Sequence, residues 1–138
     1  MTLSASQRER GYKYMDKQQK VFTGLLVALR ASGYDVYDGF LPPEGVPYPF
    51  IYLGESEQTE GLLKNGHMST VYQTIHVYHN NPRARGTMSA LMAAVKQACY
   101  DITANEPGIH MTGLSQQMLH DTTTSTPLMH GIVNATYR

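Results

Sequence analysis

Residues 69–104 switch hydrophobic period once, and that switch narrows the folds open to the chain. STVYQTIHVYH (69–79) alternates, with Val71, Gln73, Ile75 and Val77 on one side and Tyr72, Thr74, His76 and Tyr78 on the other. NNPRARG (80–86) is a turn, punctuated by Asn80-Asn81-Pro82. TMSALMAAVKQACYDITA (87–104) then repeats at helical spacing, with Met88, Leu91, Met92, Val95, Cys99 and Ile102 in one stripe. Thr87 is a candidate cap, and Pro107-Gly108 marks the end.

The flanking segments extend this pattern. DKQQKVFTGLLVALRAS (16–32) reads as a first helix, with Asp16 as N-cap and Val21, Phe22, Leu25, Leu26 and Leu29 as its apolar stripe. Gly33 stands where a C-terminal cap belongs. Residues 34–37 form a short β segment, turned by Asp38-Gly39. FIYLGESEQT (50–59) is a strand with Ile51 and Leu53 on one face and Phe50 and Tyr52 on the other. Residues 60–68 contain Gly61 and Gly66 and read as a loop with an apolar tip at Leu62 and Leu63. Two further strands, near 114–124 and 128–137, make a hairpin turning near Ser125–Pro127. The order α-β-β-β-α-β-β predicts an α+β fold: an antiparallel (mixed) sheet with two helices packed on one face. Residues 1–14 are expected to be a flexible polar arm, and residues 15–138 a single α+β domain.

LPPEGVPYPFIYLGE (41–55) poses a separate question. It sets Pro42, Pro43, Pro47 and Pro49 directly ahead of a strand, where proline removes ladder donors. Proline is tolerated at a strand's start, so the run reads as a stiff extended arm delivering Ile51 and Leu53 in register.

Charge is balanced in total but not in place. Residues 1–30 carry Arg8, Arg10, Lys13, Lys17, Lys20 and Arg30 against Glu9 and Asp16. Residues 35–60 carry Asp35, Asp38, Glu44, Glu55, Glu57 and Glu60 with no base. A neutral chain with an acidic middle is a poor sequence-independent DNA binder. The two segments are either solvated faces or complementary patches through which a subunit meets its neighbour. No apolar run is long enough for a membrane helix, and the N-terminus lacks the apolar centre of a signal peptide, which argues against export.

The residues offer little for catalysis. His67, His76, His79, His110, His120 and His130 form no metal-binding motif, and His76 and His79 project to opposite faces of their strand. Cys99, the lone cysteine, falls on the apolar stripe of the second helix and belongs to the core. Phosphate-cradling glycine motifs are absent from the sequence, and no metal or cofactor is expected. Arg83 and Arg85 stand ahead of a helix N-terminus, where the dipole disfavours cations. They are solvated, or they meet an acidic partner surface or phosphate. Tyr72 and Tyr78 suit a contact face as well as a strand.

The ordered series VYDGFLPPEGVPYPFIYLGES, a polar loop, then STVYQTIHVYHNNPRARGTMSALMAAVKQACYD resembles the tail-completion family of long-tailed phages, also called tail-terminator or head–tail joining proteins. The resemblance spans about residues 17–102. It implies a structural, non-enzymatic virion protein. Such a protein assembles as a ring, usually a hexamer, at the head-proximal end of the tail tube. It contacts the tail tube protein and the head connector or stopper, and lets DNA through its lumen without gripping it. It sits in the tail or neck of the virion, and in the host cytoplasm during assembly. The interface residues nominated for that role are Glu55, Glu57, Glu60, Leu62, Leu63, Lys64, Arg83 and Arg85. The alternatives are a head-side neck protein (stopper or adaptor), or a small ligand-binding domain or enzyme using its histidines.

Overall fold

A computed structural model describes residues 16–138. The polar arm expected over residues 1–14 lies outside the described residues. In chain order the elements are α1 (Lys17–Ala31), β1 (Val36–Asp38), β2 (Phe50–Leu63), β3 (Gly66–His79), α2 (Arg85–Asn105), β4 (Met111–Asp121) and β5 (Leu128–Tyr137). The strands form one sheet in the order β1-β2-β3-β5-β4. Every neighbouring pair is antiparallel except β1 with β2. This is the predicted α+β fold, with both helices on one face of a mixed sheet.

That face is the core. Val71, Gln73, Ile75 and Val77 of β3 point into it, as their alternation requires. Ile51 and Leu53 join them from β2, and Met129, Val133, Ala135 and Tyr137 from β5. Val21, Leu25 and Leu29 of α1 close over one half, and the stripe of α2 over the other. Complete burial of a side chain such as Leu25 or Ile75 is worth about 1.5–3 kcal/mol. Two glycines set how closely these layers approach. A methyl group on Gly24 of α1 would run into Ile102 of α2, so the helices touch where α1 has no side chain. A methyl group on Gly131 of β5 would stand 2.8 Å from Met92 Sδ, so α2 lies directly on that strand.

The helix ends differ from the sequence reading. Asp16 occupies the N-cap position of α1, but its side chain makes no capping bond. Gln58 of β2 does that work instead: its Oε1 accepts from Gln18 N–H at 3.0 Å, and its Nε2 donates to Asp16 Oδ1. α2 starts at Arg85 rather than at Thr87, so Thr87 lies inside the first turn and does not cap it. Asn81 shapes the approach, its Oδ1 accepting from Arg83 N–H at 3.0 Å.

The proline run is a crossover rather than a straight arm. β1 and β2 are parallel, with Val36 opposite Ile51, so the chain must travel back before it can pair. Residues 39–49 make that return, bending at Gly45, whose φ is 92°. The stiffening residues thus serve a non-helical parallel connection, which the sequence did not disclose.

Two strand boundaries also move. The segment 60–68 is not a loop: β2 and β3 continue as a hairpin to Leu63 opposite Gly66, turning through Lys64 and Asn65. The fourth strand covers Met111–Asp121 rather than 114–124, and residues 122–127 connect it to β5.

Candidate functional site

β2 and β3 are longer than the sheet that supports them. The pairing of β3 with β5 ends at Val71 opposite Tyr137, and that of β1 with β2 ends at Leu53. Among the described residues the distal half of the hairpin is therefore a two-stranded ribbon with no strand beside it. A two-stranded ribbon has little stability of its own in water, so it gains from a neighbour. Its base is braced by α1: Lys17 Nζ donates to the Ser69 carbonyl, and Gln18 and Gln58 interlock beside Ser56. Its tip is bare, with Leu62 90% and Leu63 57% exposed. Lys64, also exposed, forms the turn between the strands.

The nominated acids lie along the same strand with different surroundings. Glu60 Oε1 accepts from Gln58 Nε2 at 2.8 Å, and Glu55 Oε2 lies 3.2 Å from His76 Nε2. Glu55 ionises below the ordinary carboxylate range, chiefly through backbone hydrogen bonding and then through His76. Glu57 is exposed opposite Tyr72. Gln73, a polar side chain of β3 that is 1% exposed, sits at the bulge between Leu53 and Ser56. Its Nε2 donates to the Thr74 carbonyl at 3.0 Å, while its Oε1 has no partner among the described residues.

The complementary-patch idea meets an internal contact. Arg30, from the basic segment, lies 3.5 Å from Asp38 of the acidic one within the same chain. Exposed pairs of this kind contribute little stability. Arg83 and Arg85 are both exposed, Arg83 in the turn after β3 and Arg85 as the first residue of α2. They stand at the end of the sheet opposite the ribbon tip.

The face of the sheet away from the helices carries an aromatic row. Tyr37, Phe50, Tyr78 and His130 follow one another across β1, β2, β3 and β5, with ring centroids 5.6, 5.3 and 4.3 Å apart. His76 stacks on His130 at 5.0 Å and shares a hydrogen bond with it. Burial holds His130 below the usual imidazole range, and the neighbouring His76 adds to this. Alternation put His76 and Tyr78 on this face, but only the register of β3 with β5 brings His130 to them.

Sequence reading missed a second surface. The proline segment folds over the end of the sheet and leaves a cavity of about 360 Å³ walled by Pro42, Pro43, Val46, Tyr48, Tyr78 and Leu128, with Glu44 and Asp121 among its lining. Beside it Phe40 is 87% exposed. The available signal was Phe40-Leu41, an apolar pair after a turn and outside any periodic element.

Among the described residues no group of three or more His, Cys, Asp or Glu is placed to hold a metal ion, and no helix is long and apolar enough to cross a membrane. Cys99 is buried, and burial pushes its thiol up to about 11. At the surface these residues present an exposed ribbon tip, a pocket with apolar walls and a row of largely buried aromatic rings.

The family model for tail completion protein gp17 matches residues 25–134. Among curated proteins none matches the sequence. Among solved structures, a chain from the virion of a native gene transfer agent particle is similar with a TM-score of 0.60 at 21% identity, over 88% of this chain and 92% of that one. The bacteriophage SPP1 gp17 protein is similar with a TM-score of 0.54 at 16% identity, over 91% of this chain and 92% of its own. At such identities these two likenesses bear on the fold. The chain belongs to the tail completion protein gp17 family and is a structural protein of the bacteriophage tail.

Proposed function

We propose that the chain closes the head-proximal end of the tail tube as a ring of identical subunits, most simply a hexamer, and joins the tail to the head connector or stopper. The family match over residues 25–134 carries this reading. Its partners are then the tail tube protein on one side and the connector on the other. DNA passes through the lumen without specific binding, which suits a chain of zero formal net charge. Its place is the tail and neck of the virion, reached through the host cytoplasm during assembly, and its role is structural rather than enzymatic.

Ring closure needs two dissimilar, complementary surfaces on each subunit. The ribbon tip and the proline-segment pocket are dissimilar and lie at opposite ends of the sheet, which supports a head-to-tail contact. Glu55, Glu57 and Glu60 along β2, and Arg83 and Arg85 at the other end, are proposed as its charged fringe. Cryo-electron microscopy of intact particles tests the proposal. A ring of this chain between tube and connector is expected, whereas density at the distal tail tip or in the capsid shell rejects it.

A further inference from the structure

We propose that the ribbon tip of one copy seats Leu62 and Leu63 in the apolar pocket under the proline segment of the next copy, with Lys64 against Glu44 and Asp121. The proposal rests on the reading of the chain as a ring of identical subunits and specifies the joint within it.

The two halves match in chemistry. The tip offers two exposed leucines, the last residues of β2 and one on each face of the ribbon, and its only formal charge between Gly61 and Met68 is Lys64. The pocket offers proline, valine and tyrosine walls, and its charged lining groups, Glu44 and Asp121, are both acidic. Its volume of about 360 Å³ falls in the range of pockets that enclose small ligands, which suits a pair of leucine side chains. The Asp121 carboxylate is held in place, its Oδ1 accepting from both Thr123 N–H at 2.9 Å and Thr123 Oγ1 at 2.6 Å. Prolines in the wall limit the freedom lost on docking.

The halves also match in placement. The tip lies at the Leu63–Gly66 end of the β2–β3 pairing. The pocket lies at the other end, where Phe50 faces Tyr78 and Asp121 faces Leu128. One chain cannot fill its own pocket. A contact between different patches on identical subunits propagates in one direction and closes when the rotation allows. The same contact gives the exposed ribbon tip a packing neighbour.

Site-specific photo-crosslinking in assembled particles tests this. Leu62 is replaced by p-benzoylphenylalanine, a change at an exposed position that leaves the circular dichroism spectrum unaltered. Irradiation is expected to give covalent multimers of this chain, with the attached peptide falling within residues 41–50. Lys64→Glu and Glu44→Lys should each lose most of that product, and the two together should regain it. Particles that contain the chain yet give only monomer, or a product with the tail tube protein, overturn the joint while leaving the ring reading intact. Absence of the unsubstituted chain from particles overturns both.

Discussion

His76 and His130 meet across β3 and β5 with 2.8 Å between Nδ1 of one and Nε2 of the other. One proton fits between those nitrogens. With His76 Nε2–H donating to Glu55, its Nδ1 accepts from His130 Nε2–H, and both rings are satisfied while neutral. Tyr52 and Tyr78 stack on the pair from β2 and β3, and Asp121 and Glu55 supply the nearby negative charge.

The first prediction concerns pH. The folded state holds His130 below its ordinary value of 6.5, so the unfolded chain binds more protons in the window just below that value. The contribution is complete above 6.5 and is lost as pH falls through the folded value. Tm should therefore drop as pH falls below about 6.5, by a few degrees at most because water screens the half-buried ring. His130→Asn should flatten that part of the profile. An unchanged slope in the variant would show that the histidine pair does not set it.

A second prediction isolates the closure of α2 onto the last strand. Tyr137, fully buried, donates from its hydroxyl to the Cys99 carbonyl at 2.8 Å. Burial drives the Tyr137 phenol far above its usual range, so it stays protonated and donating. Tyr137→Phe should cost about 0.5–1.5 kcal/mol in urea unfolding with the slope unchanged. No shift in midpoint would mean that the bond contributes nothing net.

A third prediction separates folding from assembly. Leu25→Ala should destabilise the isolated subunit by about 2–5 kcal/mol, because it opens a void in a closed core. Leu62→Ser should change stability by less than about 0.5 kcal/mol, yet abolish tail joining in a complementation assay. Deleting Leu62–Lys64 should behave like Leu62→Ser. Normal joining by either tip variant would remove the ribbon from the contact.

The contrast between Leu25 and Leu62 also explains what could be read from the sequence. β3 and α2 were legible because each buries one face, and burial writes a period into the residues: Val71 to Val77 at two, Met88 to Ile102 at helical spacing. The ribbon buries neither face, so Glu60 to Met68 carry no alternation, and Gly61 and Gly66 read as a loop. The parallel pairing of β1 with β2 left no mark because three residues are too few to carry a period. The proline run was visible, but its role as a return crossover depends on that pairing. Candidate contacts on exposed residues were nominated by composition alone. The pocket needs Pro42, Tyr78 and Leu128 brought together from three separate segments, which only the tertiary structure supplies.

A fourth prediction concerns the acidic edge. Reversing Glu55 or Glu60 also breaks contacts with His76 or Gln58, so Glu57→Lys is the cleaner probe. It should weaken assembly in a way that rising salt no longer worsens, since the charge contribution is already gone. Wild-type assembly with wild-type salt dependence would show that this edge faces solvent in the particle.

The most direct test of tail completion is to delete the gene and image the lysate by electron microscopy. Filled heads beside separate, over-long tails are the predicted result, because an uncapped tube keeps growing and cannot join. Tails of normal length attached to heads would contradict the account, and so would normal tails beside heads that leak DNA, which would place the protein on the head side of the joint.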